Sequence, residues 1–409
     1  MSKSFFEELN DINITGVAYK NINLKKAVIS HFADIGSATI ADLCKELNLS
    51  IPKVTRLIND LIEDGLVQDN GKIESNGGRK PNLYGLIADS VLFIGVDVKT
   101  THINIGLSDL KKNLVKISEK IPYKLDNTKE SLNSLCNLIN QFIKESPVPK
   151  EKILGIGINL SGRVNHKSGY SYSFFHFEEG PLSNIIESKV GIPIFLENDS
   201  RAMACGEFNS GGILKSEKDA LFLNLDYGLG MGILINGELY YGKSGYSGEF
   251  GHIPVFDNEI ICHCGKKGCL ETEASGRALT RMFKEKLREG SSSTLSLEKK
   301  NPEEIEMDDI IAAANNDDVL AIELIAKIGT NIGRGIAMLI NIFNPQLIIL
   351  GGSLALTEAY IRLPIKSAIN KYSLNLVSSD TELTMSALGE RAGIIGACLL
   401  VRNKVLSLD

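Results

Sequence analysis

Leu92-Phe93-Ile94-Gly95-Val96-Asp97 and Leu221-Phe222-Leu223-Asn224-Leu225-Asp226 are two versions of one pattern, a mostly apolar run that ends on an aspartate. A run of this length and composition reads as a buried strand. Each version leads into more strand-like sequence. Ile103 to Leu107 follows the first, and Gly232 to Ile235 and Gly237 to Tyr240 follow the second. An internal repeat of this kind predicts two related α/β lobes with a cleft between them.

Working outward, Leu132, Leu135, Ile139 and Phe142 fall at helical spacing, and Ile153–Leu160 and Ile192–Leu196 are apolar strands. A helix-rich stretch over about 273–344 precedes the strand Leu347-Ile348-Ile349-Leu350, and a last helix starts near Arg391. This alternation implies mixed α/β lobes. The duplicated lobes, strand-ending aspartates and Gly-rich turns resemble the actin/hexokinase superfamily.

The chain has 409 residues, too many for one ordinary domain. Its apolar content of 43% and charged content of 23% are those of a soluble globular protein. A formal net charge of −6 means that any contact with nucleic acid must come from a local surface. The most apolar C-terminal region, Ala337 to Leu356, is broken by Asn341, Asn344, Pro345, Gly351 and Gly352, so no membrane helix is expected. Glu7 and Glu8 stand where a signal peptide would be apolar, and the expected location is the cytoplasm.

Upstream of the repeat, Leu24, Val28, Ile29 and Phe32, then Ile40, Leu43, Cys44 and Leu47, predict two helices separated by Gly36-Ser37. Ser50 is placed as an N-cap with Pro52 in the first turn of a third helix, which buries Val54, Leu57, Ile58, Leu61 and Ile62 and stops at Gly65. Leu66-Val67-Gln68, an Asp69-Asn70-Gly71 turn and Lys72-Ile73-Glu74 read as a short hairpin. Three helices and a wing give a winged helix-turn-helix, with Lys53, Thr55, Arg56 and Asn59 on the face that would enter a major groove. Arg79 and Lys80, after Gly77-Gly78, would reach phosphates or a minor groove. Two blander readings compete: a protein-interaction module, and a linker carrying two solvated cations. Residues 1–89 hold ten basic against twelve acidic side chains, which favours neither.

Seven cysteines, an odd number, include Cys262, Cys264 and Cys269 close together. With His252 they supply three thiolates and an imidazole, a complete tetrahedral set for structural Zn²⁺. Gly265 and Gly268 let the loop bend so that its sulfurs converge; a chance cluster of buried thiols is the alternative. Four protein ligands leave no open position for water activation. His263, between two of the cysteines, is taken as a bystander.

Gly248-Glu249-Phe250-Gly251-His252, followed by the run from Cys262 to Glu271, resembles the signature of the ROK family (repressor, open reading frame, kinase). Glu197-Asn198-Asp199 and Asn344 to Gly352 are similar to other segments of that family. The resemblance covers about 90–400, and the upstream winged helix is similar to that of the family's repressors. It implies a sugar pocket lined by Gly162, Asn198, Asp199, Glu249, His252 and Glu271, with His252 using one ring nitrogen for zinc and the other for a sugar hydroxyl. Taken singly, Asp199 is equally a helix cap, and Glu249 and Glu271 surface carboxylates.

In the family's kinases Asp199 would be the base for phosphoryl transfer. The phosphate side departs from the family pattern. Asp97-Val98-Lys99-Thr100-Thr101 stands where those kinases have Asp-x-Gly-Gly-Thr, and Asp226-Tyr227-Gly228 where they have Gly-Thr-Gly. Side chains then occupy positions where bare backbone must approach phosphate. The reading is an α/β two-lobed actin/hexokinase-like domain preceded by a winged helix-turn-helix. The divisions expected are 1–88, then lobe 1 over 89–205 completed by 390–409, and lobe 2 over 206–389. The expected function is a sugar-responsive regulator, a repressor of carbohydrate genes, that is not an enzyme. Its partners would be operator DNA, a sugar or sugar phosphate, and a second copy in a homodimer or homotetramer. The alternative is an ATP-dependent sugar kinase with an accessory winged helix.

Overall fold

The computed structural model describes residues 5–9, 15–72, 81–177, 179–209, 218–298 and 301–408. The chain divides into two compact units: 1–162, 168–197 and 397–409 form the first, and 163–167 with 198–396 the second.

The first unit opens with α1 (Phe5–Leu9), α2 (Gly16–Ile35), β1 (Ala38–Thr39), α3 (Ile40–Leu47) and α4 (Ile51–Glu63). Thr39 and Asp42 form a reciprocal capping box at the start of α3, and Asn48 ends that helix at φ 51°. Ser50 does stand at the N-cap of α4, with extended backbone, but its side chain makes no capping bond. Val54, Ile58 and Leu61 of α4 share one core with Val28, Ile29, Phe32 and Leu43. Ile62, expected inward, is 38% exposed, because the buried stripe of α4 is narrower than its apolar sequence. The Lys25 ammonium, on a residue 4% exposed, lies 3.1 Å from Glu8 Oε2 and 3.8 Å from both Asp60 and Asp64, tying α1, α2 and α4 together.

The wing differs from its sequence reading. β2 (Val67–Lys72) runs straight through Asp69-Asn70-Gly71 and pairs antiparallel with β3 (Asn82–Leu86), while β1 covers the other side of β3. The apparent turn is a bulge: the register shifts between Asp69 and Lys72, Asp69 Oδ1 accepts from Gly71 N at 2.8 Å, and Gly71 has φ 92°. Asx chemistry that closes a hairpin also builds a bulge, so the local sequence was ambiguous. Ile73, Glu74, Arg79 and Lys80 lie outside the described residues.

β4 (Leu92–Val98), β5 (His102–Asp109), β6 (Leu114–Pro122), β7 (Ile153–Leu160) and β10 (Ile194–Asn198) form a sheet in the order β10-β7-β4-β5-β6. Two-residue strands β8 (Val164–Asn165) and β9 (Tyr170–Ser171) fall between the last two, and helices α5 (Lys129–Lys144) and α6 (Leu182–Val190) complete the run. Phe93 and Leu110 belong to the same core as the winged helix, together with Val401 and Leu406 from the chain's end.

The second unit holds α7 (Asp199–Asn209), β11 (Ala220–Leu225), β12 (Leu229–Ile235) and β13 (Glu238–Leu239). Helices α8 (Glu271–Ala274), α9 (Gly276–Arg288), α10 (Leu295–Glu298), α11 (Met307–Asn315) and α12 (Val319–Phe343) follow. β14 (Leu347–Gly351), α13 (Ala359–Tyr372), α14 (Asn375–Ser378), β15 (Glu382–Met385) and α15 (Ala392–Leu406) close the chain. Its sheet has the order β13-β12-β11-β14-β15.

The repeat read from sequence is a repeat of topology. β4 lies between an antiparallel partner, β5, and a parallel one, β7; β11 lies likewise between β12 and β14. Every residue of β4 and β11 is buried, which is why both read as continuous apolar runs. No helix among the described residues is long and apolar enough to cross a membrane.

Candidate functional site

The four metal-ligand candidates converge. His252 ends a short 3₁₀ turn (Phe250–His252), and the loop carrying the cysteines is pinned by isolated bridges pairing Pro254 with Cys269 and Ile261 with Lys267. Val255 N and Phe256 N both donate to Gly268 O. Gly268, at φ 74°, must be a glycine, since a Cβ there would stand 2.2 Å from the Phe256 carbonyl oxygen.

One ligand atom from each of His252, Cys262, Cys264 and Cys269 lies within 4.8 Å of all the others. Cys262 Sγ is 3.6 Å from His252 Nδ1, and Cys264 Sγ is 3.6 Å from Cys269 Sγ. Bond lengths of about 2.3 Å to sulfur and 2.0 Å to nitrogen put the edges of a tetrahedral zinc site at roughly 3.5–3.8 Å, so the donor set fits the ion in number, kind and spacing. Burial and the neighbouring thiols push Cys269 up to about 12. A dication relieves that penalty on the thiolate.

Two of the carboxylates expected around a sugar, Glu249 and Glu271, lie beside this cluster. His252 Nε2, the nitrogen turned away from Cys262, lies 3.7 Å from Glu249 Oε2. Glu271, the first residue of α8, is 7% exposed; its Oε2 accepts from Leu229 N at 3.1 Å. Its Oε1 lies 2.9 Å from His263 Nδ1. Burial alone would raise the Glu271 pKa, but the contact with His263 and the Leu229 amide hold it below the usual carboxylate value. His263 is thus the residue the sequence reading undervalued. Cys262, His263 and Glu271 form a second group of convergent donors, and the available signal was the position of a histidine between two ligand cysteines.

Asn198 and Asp199 meet at the junction of β10 and α7. The side chain that caps α7 is Asn198, whose Oδ1 accepts from Arg201 N at 3.1 Å. Asp199 Oδ1 accepts from Ser200 N at 2.7 Å and Asn198 Nδ2 at 3.0 Å. The capping role weighed for Asp199 therefore belongs to its neighbour. Gly162 lies in the first unit at φ 84°, where a Cβ would stand 2.3 Å from Ser173 Oγ.

The turns at 97–101 and 226–228 are bonded to their surroundings. None of residues 97–101 has positive φ. Lys99 N donates to His102 O, while Thr100 O and Thr101 O accept from Leu125 N and Tyr123 N. Asp97 is fully buried, with the Lys99 ammonium 3.7 Å from its Oδ2. In the second loop Asp226 Oδ1 accepts from Tyr227 N at 2.8 Å and Ser353 Oγ at 3.3 Å, and Arg277 lies over the Tyr227 ring.

On α4, Arg56 and Asn59 are exposed. Lys53 is half-buried and hydrogen-bonded to Asn21 of α2, and the Thr55 hydroxyl donates to Ile51 O at 2.8 Å.

Comparison with known proteins decides the family. The model of the ROK family matches residues 93–404, and that of a winged helix-turn-helix DNA-binding domain matches 24–68. The chain belongs to the ROK family. Among its relatives, a xylose repressor of Caldicellulosiruptor bescii is 29% identical, over 99% of this chain and 98% of the relative. The Escherichia coli DNA-binding transcriptional dual regulator NagC is 31% identical, over 93% and 91%. Among solved structures, a ROK family transcriptional regulator homologous to the E. coli MLC protein superposes with a TM-score of 0.78 at 27% identity, covering 95% of this chain and 98% of that one. A ROK family glucokinase from Streptomyces griseus, in complex with glucose and AMPPNP, gives 0.67 at 29% identity, covering 76% and 98%. The regulators match along nearly the whole of this ROK chain; the kinase leaves about a quarter of it unmatched.

Proposed function

We propose that this ROK-family chain is a sugar-responsive transcriptional repressor of carbohydrate genes, located in the cytoplasm, which binds operator DNA through its winged helix and is not an enzyme. The observation that carries the reading is the union in one chain of a winged helix exposing Arg56 and Asn59 with the His252–Glu249–Glu271 constellation, along the full length shared with repressors. Arg79 and Lys80 would add phosphate or minor-groove contacts.

The ligand is a sugar or sugar phosphate. Asn198, Asp199, Glu249, His252 and Glu271 supply donors and acceptors for paired hydroxyls. Zinc held by His252, Cys262, Cys264 and Cys269 supplies a closed structural cross-link that fixes the imidazole. His252 Nε2 then stays beside Glu249, ready for a hydroxyl. Ligand acts by preferring one arrangement of the protein over another. In a homodimer or homotetramer reading half-sites about 34–36 Å apart, a small rotation suffices to lose the operator.

Phosphoryl transfer is disfavoured because the turn at 97–101 already spends its groups within the protein: Lys99 pairs with Asp97, and two carbonyls accept from Tyr123 N and Leu125 N, just past the end of β6. Asp199, the base that a sugar kinase would need, favours the second reading, a kinase with an accessory winged helix. Calorimetry on zinc-loaded protein separates them, with ATP, hexoses and hexose phosphates titrated in parallel. A sugar or sugar phosphate that binds without ATP, and shifts affinity for an operator, supports the regulator. ATP binding with turnover overturns it.

A further inference from the structure

Ile51 is the first residue of α4 and is 63% exposed, on a helix whose opposite face fills the core of the winged helix. Pro52 beside it is exposed as well. Thr55, one turn on, spends its hydroxyl on the Ile51 carbonyl, so it adds a methyl group rather than an available hydroxyl to this turn. Ile51, Thr55 and Asn59 stand at i, i+4 and i+8, one stripe along the helix. Lys53, the cation nearest the start of α4, is bound to Asn21 on α2. The leading end of the face is thus apolar, and its polar members, Asn59 and Arg56, come later.

In helix-turn-helix proteins the N-terminal residues of the recognition helix reach base edges. The one apolar group a base pair presents in the major groove is the C5 methyl of thymine. A branched aliphatic side chain at this place is complementary to that methyl and to no other base feature. We propose that Ile51 is a base-reading residue: it packs on the C5 methyl of a thymine in each operator half-site, and the Thr55 methyl extends the apolar strip. The inference rests on the DNA-binding reading above and adds to it a specificity determinant that selects thymine.

The test uses the full-length, zinc-loaded protein. Bound sequences are enriched from a randomised duplex pool, and each thymine of the resulting half-site is then replaced in turn by deoxyuridine, which pairs identically and lacks the methyl. At one position the replacement should weaken wild-type binding about four-fold, the value of one buried methyl-sized group. Ile51→Ala should bind the thymine site correspondingly more weakly and be indifferent to deoxyuridine at that same position. Because Ile51 is exposed, its thermal midpoint and zinc content should match the wild type. If every deoxyuridine affects wild type and variant equally, Ile51 reads no methyl and the inference is overturned. A variant that binds DNA unchanged but fails to associate with itself would likewise overturn it, making Ile51 a contact between copies. Enrichment of no sequence at all would remove the DNA-binding reading itself, and the inference with it.

Discussion

Gly396 of α15 lies against the main chain of Ala202 on α7, so close that a Cβ on the glycine would stand 1.7 Å from the Ala202 carbonyl oxygen. One turn along each helix the contact is repeated with roles exchanged: a Cβ on Gly206 would stand 2.4 Å from the carbonyl oxygen of Ala392. Two helices meet backbone to backbone, and Asp199 begins the first of them. Gly396→Ala must therefore move a main chain rather than a flexible side chain. We expect a loss of about 2 kcal/mol in unfolding free energy, typical of overpacking, and weaker sugar binding as α7 shifts beneath Asn198 and Asp199. Denaturant melts and calorimetry check both; a variant of unchanged stability would mean that the helices separate without cost.

Cys264→Ser should lose zinc and weaken the response to sugar together, because His252 depends on the same cluster for its orientation. Metal content and sugar titration on the same preparation test the coupling. Full sugar affinity in demonstrably zinc-free protein would sink it.

Arg56→Ala should weaken operator binding and leave sugar affinity unchanged, since Arg56 is exposed on α4. The loss should be largest at low salt if Arg56 meets phosphate, and confined to certain base pairs if it reads an edge. Undiminished DNA affinity at all salt concentrations would remove Arg56 from the interface.

Asp318 caps α12 through Ala321 N at 2.9 Å and also accepts from Thr294 N, Thr294 Oγ1 and Ser293 Oγ. Burial opposes its charge, but these four donors hold its pKa below the ordinary 3.8. A depressed carboxylate contributes stability that is complete above 3.8 and is lost as pH falls through the lower folded value. Asp318→Ala should cost about 2 kcal/mol at neutral pH and remove this part of the acid sensitivity below pH 4. Asp318→Asn should keep the cap while losing the pH dependence. Urea melts at pH 7 and pH 3.5 distinguish the three proteins.

What was legible in the sequence was what neighbours in the chain determine. Leu92–Asp97 and Leu221–Leu225 are buried on both faces, so their strands and shared topology could be read directly. The convergence of His252 with the three cysteines was legible because the cysteines sit on one short loop. Features that depend on distant partners were not. Nothing local says that β2 continues past Gly71 to pair with Asn82–Leu86, because an Asx turn fits a hairpin and a bulge alike. Lys53 looks like a free cation until Asn21 is found beside it, and His263 looks idle until Glu271 is placed at 2.9 Å. The choice of Asn198 over Asp199 as cap follows from side-chain direction, which the order of residues leaves open.

Lys99 separates the two readings of the ROK domain most sharply. As found, its ammonium is 3.7 Å from the carboxylate of Asp97, which has no exposed surface, while the Lys99 side chain is 18% exposed. Removing the cation leaves a buried charge with less compensation. Because the Lys99 side chain is partly exposed, we expect about 2–3 kcal/mol, somewhat under the cost of breaking a fully buried pair. Lys99→Ala should therefore unfold at lower denaturant concentration, and Lys99→Ala with Asp97→Asn should recover part of the loss, the sign of a direct interaction. A phosphate-binding lysine predicts another pattern: unchanged stability, and an ATP affinity present in the wild type and lost in the variant. Unfolding curves and nucleotide titrations on the same three proteins give the two patterns no overlap. A stable Lys99→Ala protein that has lost ATP binding would return the domain to the kinases.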